Sequence, residues 1–130
     1  MSSTSGDLKE YRKAAGRAAS RAGFLQVMME DFPATGHSPL DVYRAKVAEA
    51  DVLVAIVAHR YGWVPPGATR EPAQKSITWL ECEEAVRQGK EVLAFLVDPT
   101  IEWPLDRREA YRITAAIEKG NATADLFAQV

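Results

Sequence analysis

Several kinds of protein are excluded by what this chain has little of. Its single cysteine, Cys82, rules out an internal disulfide framework and suits a reducing compartment. No apolar run is long enough to cross a bilayer, and the longest, Val52 to Ala58, falls far short. Residues 1–7 are polar and lack the apolar centre of a secretory signal, so the expectation is a soluble cytoplasmic protein with no membrane partner. Positive charge is not in surplus. Sixteen Lys and Arg stand against 18 Asp and Glu, a formal charge of −2 that is too little to neutralise a phosphate backbone, so nucleic acid is not an expected partner. No metal-binding spacing of Cys, His or carboxylates is spelled out, so no metal and no cofactor are expected. At 130 residues the chain fits one domain, 1–130, with length enough to close a hydrophobic core.

What is present is an alternation of helix and strand patterns. From about Asp7 to Ala22, Leu8, Tyr11, Ala15, Ala18, Ala19 and Ala22 recur at three-to-four spacing, which predicts a helix with one apolar face, stopped by Gly23. Phe24 to Met28 is a strand candidate, and Glu30 to His37 a loop. Ser38-Pro39-Leu40-Asp41 places an N-cap serine before a proline at the first helical position, so a helix should run to about Ala50. Asp51–Ala58 and Val92–Val97 are continuous apolar runs, as expected of parallel strands covered by helices on both faces. Ser76 to Gln88 supplies the crossover helix, and a last helix is expected from about Asp106 to Lys119. The fold class is α/β, an open parallel sheet with helices on both faces. Its first central strand is missing from the pattern, because the first helix begins within a few residues of Met1.

In such sheets ligands bind outside the carboxyl ends of the strands. Glu81 lies in the first turns of the crossover helix, at the border of an apolar stripe of Trp79, Cys82, Ala85 and Val86, with Glu84 pointing away. A carboxylate there is expected to be held ionised by the helix dipole, which suits a nucleophile or an electrostatic stabiliser better than a proton donor. Equally, Thr78-x-x-Glu81 fits a capping box in which Glu81 only returns a hydrogen bond to the Thr78 amide. His59, Arg60, Tyr61 and Trp63 follow the strand ending at Ala58. They offer a guanidinium for an anion and rings that could stack on a base, or else pack the loop onto the domain. Ser3 and Thr4 open the first helix, whose amides could hold an anion. Cys82 reads as inert core, and His37 as solvent-facing.

Ser2-Ser3-Thr4 with Asp7-Leu8, Met29-Glu30-Asp31-Phe32, Glu49-Ala50-Asp51-Val52, His59 to Pro65, and Ser76-Ile77-Thr78 followed by Glu81, Glu83, Glu84 and Ala85 closely resemble domain-of-unknown-function family 4062. The likeness is strongest over residues 2–99, with a C-terminal helix and tail over 105–130. That family looks like a relative of Toll/interleukin-1-receptor (TIR) domains and nucleoside 2-deoxyribosyltransferases, which implies a TIR-like or flavodoxin-like fold at the N-terminus of a larger NTPase signalling protein. Glu81, Ala85, Gly89 and Lys90 before Val92 stand at the deoxyribosyltransferase spacing. The resemblance thus implies Glu81 as the catalytic carboxylate, with Glu84 in reserve because the TIR register around Ser76 and Trp79 is ambiguous. Trp79 replaces a frequent acid and Cys82 a frequent aromatic. The implied activity is hydrolysis or transfer at the N-glycosidic bond of NAD or a related nucleotide or nucleoside. NAD is then a substrate, and the ligand-binding residues are Ser3, Thr4, His59, Arg60, Tyr61 and Trp63. The alternative is a non-catalytic module that forms a homo-oligomer or docks a partner in a larger signalling system.

Overall fold

In the computed structural model, which describes residues 1–28, 39–65 and 75–108, the two apolar runs lie side by side as parallel strands. Strand β1 is Ser2–Ser3, helix α1 Lys9–Arg21, helix α2 Pro39–Glu49, strand β2 Val52–Val57, helix α3 Ile77–Arg87 and strand β3 Glu91–Leu96. A short 3₁₀ turn follows at Leu105–Arg107. The sheet order is β1-β2-β3 and all pairing is parallel, with Val52 opposite Glu91 through Val57 opposite Leu96.

The expectation that the first strand is missing is therefore corrected. Ser2 and Ser3 themselves pair with Ala55 and Ile56. Two hydroxyl residues carry no strand signal of their own, and only the neighbouring β2 backbone makes them one. Side-chain alternation along β1 then sets the layers. Ser2 points to α3, where its hydroxyl donates to Glu81, and Ser3 points to α1, where its Oγ accepts from Arg12 at 2.7 Å. Helices accordingly flank both faces of the sheet.

Between the sheet and the α2–α3 pair sits a small core of Val47, Leu53 and Ala85, with Cys82 and Val92 packed against it. Ala85 is fully buried where these elements meet. Ala85→Leu is expected to lower the unfolding free energy by about 1–3 kcal/mol through overpacking, read by urea denaturation.

Four more expectations change. Helix α1 buries Arg12 and Gly16 rather than its alanine-rich face, and Tyr11 is half exposed. The cause is local: Arg12 is drawn inward by the Ser3 carbonyl at 3.2 Å, and Gly16 abuts the Gln26 side chain. Phe24–Met28 forms no strand, because the two-residue β1 beside it offers little backbone to pair with; the Met1 amine donates to the Val27 carbonyl at 2.9 Å. Strand β3 is an edge of the described sheet and is not covered on both faces, with Phe95 60 % exposed. Helix α3 is rotated relative to its expected stripe: Ala85 and Cys82 of that stripe do pack on the core, but Leu80, Glu81 and Glu84 join them inside, while Trp79 and Val86 face out. The loop Glu30–His37, the Ser38 cap and the helix beyond Arg108 lie outside the described residues.

Candidate functional site

The carboxyl end of the sheet gathers the segments expected to meet there. Turn Thr4–Asp7 follows β1, loop His59–Pro65 follows β2, and Ser76 opens α3. Gly62, at φ 97°, brings the loop so close that a Cβ would lie 3.1 Å from Thr4 Cγ2 and 3.8 Å from Ser76 Cβ. Gly6 similarly abuts the Arg60 guanidinium. Gly62→Ala is expected to cost about 1 kcal/mol or more, from the left-handed backbone and the Thr4 contact together, measured as a fall in denaturation midpoint.

Glu81 stands behind this rim, 6 % exposed. Its carboxylate accepts from the Ser2 hydroxyl. Burial pushes its pKa up, while the Ser2 hydrogen bond and the charges of Lys46, the amino terminus and Arg12 pull the other way. The helix dipole is not the main influence on it: the group sits in the second turn of α3, inside the fold, where desolvation is the largest effect and raises its pKa. The capping box with Thr78 does not form either. Ser76 is the N-cap, and its hydroxyl accepts from the Trp79 amide at 3.4 Å.

Glu84, expected to point away, is buried instead and is neutralised locally. It accepts from Arg87 Nε at 2.9 Å, from Arg87 Nη2 and from Gln88 Nε2 at 2.6 Å. These partners, Arg87 first, hold it down to about 2. Burial and the neighbouring Glu81 charge push the Cys82 thiol up, which leaves it a poor nucleophile at neutral pH.

The expected ligand groups are close together, but most already have work in the fold. Arg60 donates to the Arg107 carbonyl at 3.2 Å and to the Asp106 carbonyl at 2.8 Å, fastening the 3₁₀ turn to the rim. Tyr61 accepts from the Ser76 amide at 3.3 Å and lies edge-on to Trp79 at 6.5 Å. The Trp63 carbonyl accepts from the Ile77 amide at 2.9 Å, while its ring is half exposed. His59 is half-buried beside Trp103, at 5.8 Å between ring centroids. Ser3 is engaged by Arg12, and the Thr4 hydroxyl donates to Asp7.

Sequence reasoning missed Ser2, Arg12 and Lys46, the groups around Glu81. Lys46 had a signal: it shares the helical stripe of Tyr43 and Val47, where a lysine needs a buried partner.

Surface hollows formed by described residues lie away from this rim. A shallow groove of about 690 Å³ is lined by Trp79, Cys82, Glu83, Val86 and Arg87. Another, of about 360 Å³, is lined by Glu102, Trp103, Pro104, Leu105 and Arg108. Glu81 lines neither. Among the described residues no group of three or more His, Cys, Asp or Glu could hold a metal ion, and no helix is long and apolar enough to cross a membrane.

Strand order, parallel register and helices on both faces define a small open α/β fold. Within that class, the family model described as a domain of unknown function, DUF4062, matches residues 1–129, and the chain belongs to that family. No curated protein and no solved structure matches it.

Proposed function

We propose that this domain acts by docking, with the outer face of α3 as its contact surface and another copy of the chain as the occupant. One observation supports this: Trp79 and Val86, two turns apart on α3, are 49 % and 69 % exposed over the groove that Cys82 also lines. Each large apolar side chain left in water forgoes roughly 1.5–3 kcal/mol of burial, and exposed aromatic anchors are where interfaces draw most of their energy. The stripe is self-complementary. Two α3 helices brought together antiparallel about a two-fold axis set Trp79 of each against Val86 of the other, with the Cys82 side chains beside the axis. Glu83, paired with Lys75, and Arg87, paired with Glu84, share one flank of the groove and leave its centre apolar.

Sedimentation across a concentration range, with and without diamide, tests this. The two Cys82 thiols of a docked pair would give up two electrons and two protons to diamide, which becomes the hydrazine, and a disulfide-linked dimer results. At alkaline pH, where the raised Cys82 thiol ionises, wild-type protein is expected to cross-link and Cys82→Ser not to. A monomer at every concentration, with no cross-link, rejects the proposal.

A second reading places N-glycosidic chemistry on NAD or a related nucleotide at the rim. The meeting of the Thr4 turn, the Arg60–Tyr61 loop and the start of α3 at one end of the sheet favours it. Because burial favours the protonated carboxyl, Glu81 would serve there as a donor rather than as a standing anion, and a ribose hydroxyl would replace Ser2 as its partner. Nicotinamide release from NAD, or free base from nucleosides, lost in Glu81→Gln but kept in Glu84→Gln, is the expected result. No release at high protein concentration removes this reading.

A further inference from the structure

Among the described residues, Asp7 Oδ2, His59 Nε2, Trp103 Nε1 and Arg108 Nε are buried without a hydrogen-bond partner. They belong to the segments that follow β1, β2 and β3, and an unmet buried polar atom costs roughly 1–3 kcal/mol. Two of the four share a hollow. Trp103 and Arg108 line the space of about 360 Å³ that Glu102, Pro104 and Leu105 also line. The Trp103 ring, 6 % exposed, stacks on Tyr11 of α1 at 5.6 Å and lies 5.8 Å from His59. It therefore stands on the α1 side of the sheet, whereas Glu81 faces Ser2 on the α3 side.

What the two nitrogens on this hollow offer is narrow. Indole Nε1 and guanidinium Nε each carry one N–H and accept nothing, so together they match a pair of acceptor oxygens. Arg108 brings one positive charge and Glu102 lies in the same lining, which suits a singly charged anion and disfavours a doubly charged one. The indole ring, Pro104 and the exposed Leu105 are apolar, and they suit a hydrocarbon body. Water reaches neither nitrogen in the free chain, so an occupant must part the walls. Leu105 begins the turn that Arg60 fastens through the Asp106 and Arg107 carbonyls, and that turn is the wall to move.

We propose that this hollow binds a small carboxylate with an apolar body, its two oxygens taking the Trp103 indole N–H and the Arg108 Nε–H. A carboxylate so held meets both orphaned donors at once, and its bond to the guanidinium is charge-assisted. The hollow shares no lining residue with the α3 groove, and Glu81 does not line it. The proposal therefore depends on neither functional reading.

The test titrates the nitrogen-15-labelled full chain with 3-phenylpropanoate and follows its three indole N–H resonances, assigned through bonds. The Trp103 resonance is expected to shift saturably, while those of Trp63 and Trp79 stay in place. Arg108→Gln should weaken binding about tenfold or more, the effect of losing a hydrogen bond to a charged group. The matching alcohol, 3-phenylpropanol, and inorganic phosphate should leave the Trp103 resonance where it is. No saturable shift up to about 10 mM, an equal response to the alcohol or to phosphate, or undiminished affinity in Arg108→Gln overturns the proposal. A short peptide ending in phenylalanine that binds more tightly than the free acid, and not as its C-terminal amide, overturns the small-molecule occupant and assigns the hollow to a chain terminus.

Discussion

Glu81→Ala is expected to lower the unfolding free energy by about 3 kcal/mol, since it empties a buried site and removes the acceptor of the Ser2 hydroxyl. Glu81→Gln keeps the shape and an acceptor for Ser2, and should cost far less. The two differ most informatively in their pH dependence. Burial raises the native pKa of Glu81 above its ordinary 4.5, so the native state holds that proton longer than the unfolded chain does. Its contribution is full below 4.5 and is lost as pH rises through the raised native value. Glu84 has the opposite sign. Held at about 2 in the native state against an ordinary 4.5, it contributes above 4.5, and that contribution is lost as pH falls toward 2. Urea denaturation in steps of pH should therefore show Glu81→Gln flattening the loss on the upper side and Glu84→Gln flattening the loss on the acid side. Persistence of the upper-side loss in Glu81→Gln would mean that another group is responsible.

Trp79→Glu is expected to weaken self-association by about 30-fold or more, the effect of removing an interface anchor worth 2 kcal/mol. Val86→Glu should act in the same direction. Both side chains are half exposed or more in the single chain, so monomer stability should change by only about 0.5 kcal/mol. That contrast separates docking from folding: sedimentation should move while the urea midpoint stays. If the dissociation constant is unchanged in both variants, α3 is not the contact surface.

Much of the scaffold was legible in the sequence because it rests on local signals. Val52–Val57 and Glu91–Leu96 fall on the two apolar runs, Pro39 opens α2 as its position predicts, and Ser76 and Gly89 bracket α3. These signals lie in spacing, capping and φ preference, which neighbours along the chain determine. Strand β1 was not legible, because Ser2 and Ser3 become a strand only through Ala55 and Ile56. Nor was the orientation of α3. Its sequence carries an apolar stripe through Trp79, Cys82, Ala85 and Val86, and periodicity alone turns the whole of that stripe, tryptophan included, inward. The polar contacts shift that orientation: Glu81 meets Ser2 across 79 positions of chain, and α2 supplies buried Lys46 on the same side.

The candidate site divides along the same line. That the loop after β2, the turn after β1 and the start of α3 converge at one end of the sheet follows from parallel topology, and parallel topology follows from continuous apolar runs separated by a helix. The state of Glu81 does not follow from these. Next to a helix start, sequence suggests an anion steadied by backbone dipoles, a field of short reach that competes with whatever surrounds the carboxylate. The surroundings came from distant parts of the chain, and they removed water from the group. By itself the sequence determined which segments are helix or strand and which ends meet, since bonded neighbours set backbone geometry. Only the tertiary structure decided which face of α3 is hidden and that burial raises the pKa of Glu81, since solvation depends on atoms that sequence order does not bring together.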